Sequence, residues 1–439
     1  MISKISGFFV KLVQRYLPDP FIFAVVLTFV VFIMGILINK QSPMNMIIYW
    51  GNGFWNLLAF SMQMILILVT GFVLANTPLL KNLLRSVAKA MKNPTQAIMV
   101  TTLVGSIASW INWGFGLVIG ALIAKEMAKT IKGVDYRLLI ASGYIGFLVW
   151  HAGLSGSIPL TIATPGHFLE DQMGIIQTSE TIFSTFNLIT MIILIITLPF
   201  LTRLMVPPKY DTFEIPTKIL DAEKEDGFEI VKNTPADRLE NSTTISMLIG
   251  IMGFVYIVYY FGTNGFKLNL NIVNFIFLFF GILLHKTPKS YLISLHNAVK
   301  GAGGIILQFP FYSGIMGMMV ASGLAATISG WFVSISSETT LPFFTFLSAG
   351  LVNFFVPSGG GQWAVQGPIM VPASVELGVP LAKTAMAVAW GDAWTNMIQP
   401  FWALPALGIA GLGAKDIMGY CLVALIYSGI IVSLCFLIL

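Results

Sequence analysis

The stretch Ser109-Trp110-Ile111-Asn112-Trp113-Gly114-Phe115-Gly116 lies inside an apolar run from about 95 to 125, and Asn353-Phe354-Phe355-Val356-Pro357-Ser358-Gly359-Gly360-Gly361-Gln362 lies inside another from about 341 to 371. Both runs are long enough to enter a bilayer, yet each carries a polar, glycine-rich centre that a simple spanning helix would not. We read the two centres as the tips of re-entrant helical hairpins. A backbone that turns at membrane depth finds no partner in lipid, so each tip is expected against protein or a water-filled cavity.

Outward from the tips the chain is a series of apolar runs near 21 to 38, 54 to 76, 138 to 163, 183 to 202, 244 to 262, 303 to 323, 384 to 407 and 417 to 438, with a shorter ninth at 270 to 285. Crossing a ~30 Å hydrocarbon core takes about 17 to 25 helical residues. The expected fold is therefore an all-α polytopic membrane protein of about nine transmembrane helices plus two re-entrant hairpins. With 56% hydrophobic and 10% charged residues, a soluble globular protein is excluded. The net charge of +5 carries no nucleic-acid signal. Cys421 and Cys435, the two cysteines, both fall in the last apolar run, which argues against disulfide, redox or zinc chemistry.

The basic residues test this layout, because short cytoplasmic loops are enriched in Lys and Arg. With the N-terminus cytoplasmic, the C-terminus external and each hairpin returning to its own side, 21 of the 24 basic residues fall in cytoplasmic segments; Lys40, Lys267 and Lys383 are the exceptions. A full crossing at either hairpin would invert everything after it and destroy the partition. Lys4, Lys11 and Arg15 precede the first run, which ends at Ile38-Asn39-Lys40 without a small-x-small site, so it is read as a retained helix and not a signal peptide. The basic stretch 78 to 92 reads as an interfacial helix against anionic lipid.

A polar segment, 207 to 243, separates a first half (1–206) from a second (244–439) and reads as a cytoplasmic linker. Aligning the halves by their landmarks sets Asn112 opposite Asn353, Pro159 opposite Pro400 and His151 opposite Asp392, all at one offset. Topology sends 138 to 163 outward and 384 to 407 inward, so the halves are expected to be inverted repeats, with the second carrying an additional span. In both of these runs small polar side chains precede a proline: His151 to Pro159, and Gly391 to Pro400. Each should unwind near the midplane, exposing free N–H groups at one half-helix end and free carbonyls at the other.

Asp392 is the acid placed well inside a span, where an ionised carboxylate costs at least ~2.5 kcal/mol unless protonated or paired. It is either a functional group or a structural, neutral hydrogen-bonding one, and the same alternatives hold for His151. No Lys or Arg lies in a span core. An anionic substrate would add a second negative charge to that of Asp392, and a bound Na⁺ or proton is the natural compensation, which points to symport. Trp113, Trp150, Trp363, Trp390, Trp394 and Trp402 surround the breaks and either wall an acyl-sized pocket or serve as packing. Gly359-Gly360-Gly361 lacks the following Lys-Ser/Thr and preceding strand of a phosphate cradle. A rival reading pairs His151 with Ser155 or Ser157 as base and nucleophile of an intramembrane enzyme, but no orienting acid lies nearby in sequence.

At WINWGFGLVIG (110–120), HAGLSGSIPL (151–160), PSGGGQWAVQGP (357–368) and WGDAWTNMIQP (390–400) the chain resembles the bacterial short-chain fatty acid transporter family over nearly its full length. That family resembles the ion-transporter superfamily, which implies inverted repeats, two hairpins and two interrupted helices around the substrate. The resemblance further implies substrates such as acetoacetate and butyrate, a homodimer in the bacterial cytoplasmic (inner) membrane, and an elevator-like movement of the hairpin-bearing domain. The superfamily's carboxylate transporters hold substrate and Na⁺ with Ser-Asn-Thr-type triplets. The matching positions here are Asn112, Ser155 to Ser157, Asn353, Ser358 and Thr395-Asn396, with no strict triplet.

The expected function is thus secondary transport of a small monocarboxylate with Na⁺ or H⁺, without a resident cofactor and without enzymatic activity; the alternative is an uncoupled uniporter or channel. Asn112, Ser155, Ser157, Asn353, Ser358, Gln362, Thr395 and Asn396 are the candidate ligands of carboxylate and cation, with any Na⁺ near Asn112, Ser155, Asn353 and Thr395. Asp392 and His151 are the candidate carriers of the coupling charge.

Overall fold

Proline sets where many of the helices begin, because at the first helical position its missing N–H would have been unpaired anyway. The computed structural model describes residues 20–208, 212–215, 234–353 and 356–439; Lys4, Lys11, Arg15, most of the linker, and Phe354 and Phe355 of the second tip lie outside them. The first half forms α1 (Pro20–Leu37), α2 (Pro43–Gly53), α3 (Leu58–Ala75), α4 (Pro78–Ala90), α5 (Pro94–Ile111), α6 (Trp113–Thr130), α7 (Tyr136–Ile145), α8 (Ser157–Ile162), α9 (Glu170–Met173) and α10 (Thr185–Leu204). After α11 (Pro235–Glu240) come α12 (Thr243–Asn264), α13 (Leu270–His285), α14 (Pro288–Val299), α15 (Gly303–Ala321), α16 (Leu324–Ile335), α17 (Leu341–Val352), α18 (Gly359–Leu377), α19 (Leu381–Thr395), α20 (Pro400–Ala410) and α21 (Ala414–Ile438). Small polar residues cap several of the helix starts: the side chains of Asn93, Asp135, Ser184 and Thr287 each accept an amide of the following first turn, each typically contributing ~1 kcal/mol.

The described residues are helices and turns with no strand, and six segments are long and apolar enough to cross a membrane: Leu58–Ala75, Tyr136–Ile162, Thr185–Leu204, Thr243–Asn264, Pro288–Ala321 and Ala414–Ile438. The molecule is an all-α multi-pass membrane protein. Tyr136–Ile162 is buried along almost its whole length, whereas Thr243–Asn264 is mostly exposed, as a lipid-facing helix would be. The stretch read at 78 to 92 forms a helix, α4, and its Arg85 lies 3.7 Å from Glu126 of α6. Five short helices, α2, α9, α11, α14 and α16, were not expected. At 4 to 12 residues each is shorter than a span.

Both tips break where expected. Asn112 caps the end of α5 and the start of α6, and α5 packs along α6. In the second hairpin α17 packs chiefly on α19, while α18 lies against α15, α16 and α19, so its two arms part. The two interrupted spans also unwind: α7 continues as a 3-10 turn over Gly146–Ala152 before α8, and α19 passes through a 3-10 turn at Asn396–Ile398 into α20. The breaks lie ahead of their prolines, and Pro159 and Pro400 sit within the first turns of α8 and α20, where a missing N–H is harmless.

Contacts between the halves are reciprocal. Arm α6 packs on α20 and arm α18 packs on α8, while α10 meets its counterpart α21. Like-placed helices of the two halves thus meet across the middle of the molecule. In the linker, Phe213 N–H donates to Asp135 Oδ2 and Tyr136 N–H to Phe213 O, both at 2.8 Å, which clips residues 212–215 to the α6–α7 corner.

Candidate functional site

The first tip is closed by its own polar atoms. Asn112 Oδ1 accepts the Phe115 amide at 2.9 Å, Ser155 Oγ accepts the Trp113 amide at 2.9 Å, and Leu154 N–H donates to Trp110 O at 2.7 Å. Asn112 and Ser155 thereby tie the hairpin to the break between α7 and α8. Because Oδ1 of Asn112 is identified by its amide donor, the orphaned atom is the donor Nδ2, buried without a partner; Trp113 Nε1 is a second buried N–H without one.

The second tip is tied down in a different way. Asn353 Nδ2 donates to Asp392 O at 2.7 Å and to Thr395 Oγ1 at 3.0 Å, and Gln399 Nε2 donates to Asn353 O at 2.5 Å. Gln362 Nε2 donates to Ala349 O at 2.8 Å. Here the orphans are acceptors: Asn353 Oδ1, Gln362 Oε1 and Asp392 Oδ1 are buried without partners. Asn396 is fully engaged, its carbonyl accepting from Tyr144 Oη at 2.6 Å and its Oδ1 from Trp150 Nε1 at 2.9 Å.

His151 and Asp392, matched across the halves by the sequence offset, touch. His151 Nδ1 lies 2.9 Å from Asp392 Oδ2, and both side chains are fully buried. The other ring nitrogen, Nε2, accepts the Ile158 amide at 3.1 Å. The acid that sequence proximity lacked is therefore supplied by the other half, but no serine faces the ring. With Nε2 occupied by a backbone N–H and Ser155 Oγ occupied by the Trp113 amide, the base-and-nucleophile arrangement of the enzyme reading is not formed.

A cavity of about 40 Å³ lies where both tips and both interrupted spans meet α3 and α15. Trp113, Ser157, Pro357, Ser358, Gly359 and Trp402 form one side, and Met64 with the Gly304 to Phe309 turn of α15 the other. It is the start of α6, α8, α18 and α20 that reaches this space. The N-terminal ends of the three longer ones, α6, α18 and α20, carry partial positive charge that favours an anion. A larger cavity of about 420 Å³, lined by Ile111, Phe115, Leu154 and other apolar side chains, offers a carboxylate no polar partner. A third, of about 590 Å³, includes Lys267 but lies among the loops at 163–183 and 264–269, away from the tips.

Of the sequence candidates, Ser157 and Ser358 reach the small cavity. His151 and Asp392 lie behind it, joined to it through Ile158 and Ser157. Asn112, Ser155, Asn353, Gln362, Thr395 and Asn396 form the hydrogen-bonded frame that holds the tips. Among the four residues considered for Na⁺, the buried oxygen without a partner is Asn353 Oδ1. Sequence reasoning missed the α15 wall, Gly304 to Phe309, and Met64 of α3, which read as ordinary lipid-facing positions; Gln308, a buried amide inside an apolar run, was the available signal.

A family profile described as "Short chain fatty acid transporter" matches residues 1–439. A relative from Escherichia coli (strain K12), named "Putative short-chain fatty acid transporter", is 49% identical over 432 residues, 98% of each chain. A relative of the same name from Haemophilus influenzae is 47% identical over 436 residues, again 98% of each chain. Among solved structures, the Alcanivorax borkumensis YdaH transporter shares the fold, with a TM-score of 0.58 at 13% identity over 95% of this chain and 98% of that one. With tips, interrupted spans and a shared cavity in place, and a family match from end to end, the chain belongs to the short chain fatty acid transporter family.

Proposed function

We propose that the protein is a secondary transporter that binds a small monocarboxylate of the acetoacetate and butyrate class in the cavity between the tips and α3–α15, and carries it with Na⁺ or H⁺. The observation that carries this reading is the convergence of three half-helix N-termini on a cavity with no Lys or Arg in its wall. A carboxylate there meets the positive ends of the helices and the Ser157 and Ser358 hydroxyls, with the Trp113 ring in the wall. Fixed partial charges of this kind attract the anion without neutralising it, which leaves a coupling cation to balance the load. At about 40 Å³ the space holds about three water-sized groups, so it must widen to admit butyrate, as an occluded stage of alternating access would.

The halves carrying the tips would move as one body against α3 and α15, in a membrane-embedded homodimer. The test is uptake of labelled butyrate and acetoacetate by liposomes under an imposed Na⁺ gradient and then a pH gradient, with the rate of protein-free liposomes subtracted. Uptake driven by one gradient supports coupled transport and names the ion. Protein-dependent equilibration insensitive to both gradients would establish a uniporter and refute coupling.

A further inference from the structure

The imidazole of His151 carries its hydrogen on an identifiable nitrogen. A backbone amide can only donate, so Ile158 N–H at 3.1 Å requires a lone pair on Nε2. Nδ1 therefore holds the hydrogen and donates it to Asp392 Oδ2 at 2.9 Å. An imidazolium cannot occupy this geometry, because a second ring N–H would face the Ile158 N–H, donor against donor. Nor is the ring free to turn. It stacks on Trp150 with centroids 4.1 Å apart and planes 14° from parallel, and Gly359 of α18 presses on its edge so closely that an added Cβ would lie 2.4 Å from Cε1 and 3.0 Å from Nε2. The element left to yield is the first turn of α8, and Ser157 in that turn lines the cavity.

We propose that the coupled ion is a proton, taken up at His151 Nε2 in exchange for the Ile158 amide. This rests on the transport reading above and selects one of its two ions. In the step, the neutral imidazole gains a proton from solution and becomes an imidazolium facing Asp392; the Ile158–Nε2 hydrogen bond breaks and no covalent bond other than N–H forms. Two things follow at the cavity: Ile158 N–H is released beside Ser157 as a donor for the carboxylate, and the incoming negative charge is matched by the proton. Among the described residues Asp392 is the ionisable side chain that faces the ring. Of the elements packed on Gly146–Ala152, α5 and α8 carry none; Tyr144 of α7 is turned to Asn396 O. Lys125 of α6, Arg203 of α10, Glu376 of α18 and Lys383 of α19 lie roughly 13 Å or more along their helices from the breaks, at 1.5 Å per residue.

The test is butyrate binding to the purified full-length protein between pH 6 and 8.5, by calorimetry in buffers of different ionisation enthalpy, which also counts protons taken up. A carboxylic acid stays ionised across that range, so any pH dependence belongs to the protein. Wild type is expected to lose up to about tenfold in affinity per pH unit on the alkaline side, with uptake approaching one proton per butyrate. His151→Gln keeps both hydrogen bonds, its Oε1 accepting from Ile158 and its Nε2 donating to Asp392, and is expected to bind weakly with no pH dependence and no proton uptake. Wild-type binding that is flat with pH overturns the proposal alone, whatever the variants do. Unchanged proton uptake by a folded His151→Gln overturns it as well. Absence of butyrate binding by wild type at every pH overturns the transport reading, and this proposal with it.

Discussion

Asp392→Asn separates folding from coupling at one atom. In the wild type Oδ2 accepts from His151 Nδ1 at 2.9 Å while Oδ1 has no partner. Asparagine can place its Oδ1 where Oδ2 stood and keep the hydrogen bond, and its Nδ2 then replaces one unpartnered atom with another. A charge-assisted bond of about 1.5–3 kcal/mol becomes a neutral one of about 0.5–1.5, and this loss is offset because a buried charge is removed. The net change in stability should lie within about 1 kcal/mol, a shift in Tm of at most a few degrees. Coupling is another matter. At 2.9 Å and an effective dielectric of about 20, an imidazolium and a carboxylate attract by about 6 kcal/mol. The amide dipole recovers part of this, and losing even 3 kcal/mol lowers the protonated fraction by about a hundredfold.

The assay compares two initial rates in liposomes, each corrected for protein-free leak. Exchange of labelled for unlabelled acetoacetate at equal pH moves no net proton but still passes through the protonated, loaded carrier, so it is expected to fall at neutral pH and to recover toward the wild-type rate as the pH is lowered. Net uptake driven by a pH gradient is expected to fall by tenfold or more. A folded Asp392→Asn with wild-type net uptake would refute the argument and remove Asp392 from coupling.

Three further outcomes follow from contacts in the site. Trp113→Phe keeps the ring in the cavity wall and deletes a buried N–H without a partner; removing an unsatisfied buried donor should leave Tm unchanged or raise it slightly, and a Tm lowered by several degrees would show that the N–H is bonded. In Gly71→Ala the added Cβ would lie 2.2 Å from Asn112 Oδ1 and 2.8 Å from the Phe115 amide, so overpacking and a weakened cap should together cost about 2–4 kcal/mol, read as a lowered Tm and slowed exchange; wild-type values for both would contradict the close approach. Asn187→Leu strands Ala152 O, Ile182 O and Trp390 Nε1, which Asn187 satisfies at 3.1, 2.8 and 3.0 Å, and should destabilise by about 3 kcal/mol, measurable as a Tm loss of several degrees.

What the sequence disclosed was where apolar continuity fails. Asn112, Ser358 and the stretches before Pro159 and Pro400 stand out because a membrane helix has little other use for amides, hydroxyls and prolines, and each proved to mark a break. The offset set His151 opposite Asp392 without implying that they touch, and identity between the halves at that offset is near chance; the contact came from the structure. The role of each polar residue was not legible in the same way. Asn353, Thr395 and Asn396 have the side chains of ligands, but their hydrogen bonds hold backbone and neighbouring side chains in the frame. The α15 wall was hidden for the opposite reason: Gly304, Ile305 and Phe309 look the same facing a cavity or facing lipid. The short helices α2 and α16 left no periodic signal long enough to separate them from loops.

If the halves are inverted repeats, the contact between His151 and Asp392 also carries a history. Positions equivalent under a two-fold axis can touch only at the axis, and in a strictly symmetric ancestor, two identical chains side by side, they would have carried the same residue. Histidine would have met histidine, or aspartate aspartate, and neither pairing offers a proton acceptor beside a fixed counter-charge. Joining the two halves in one polypeptide lets the paired positions diverge. On this view the polar centre at His151–Asp392 is something that duplication and fusion made possible, and the search for its origin belongs among half-length membrane proteins that assemble as antiparallel pairs.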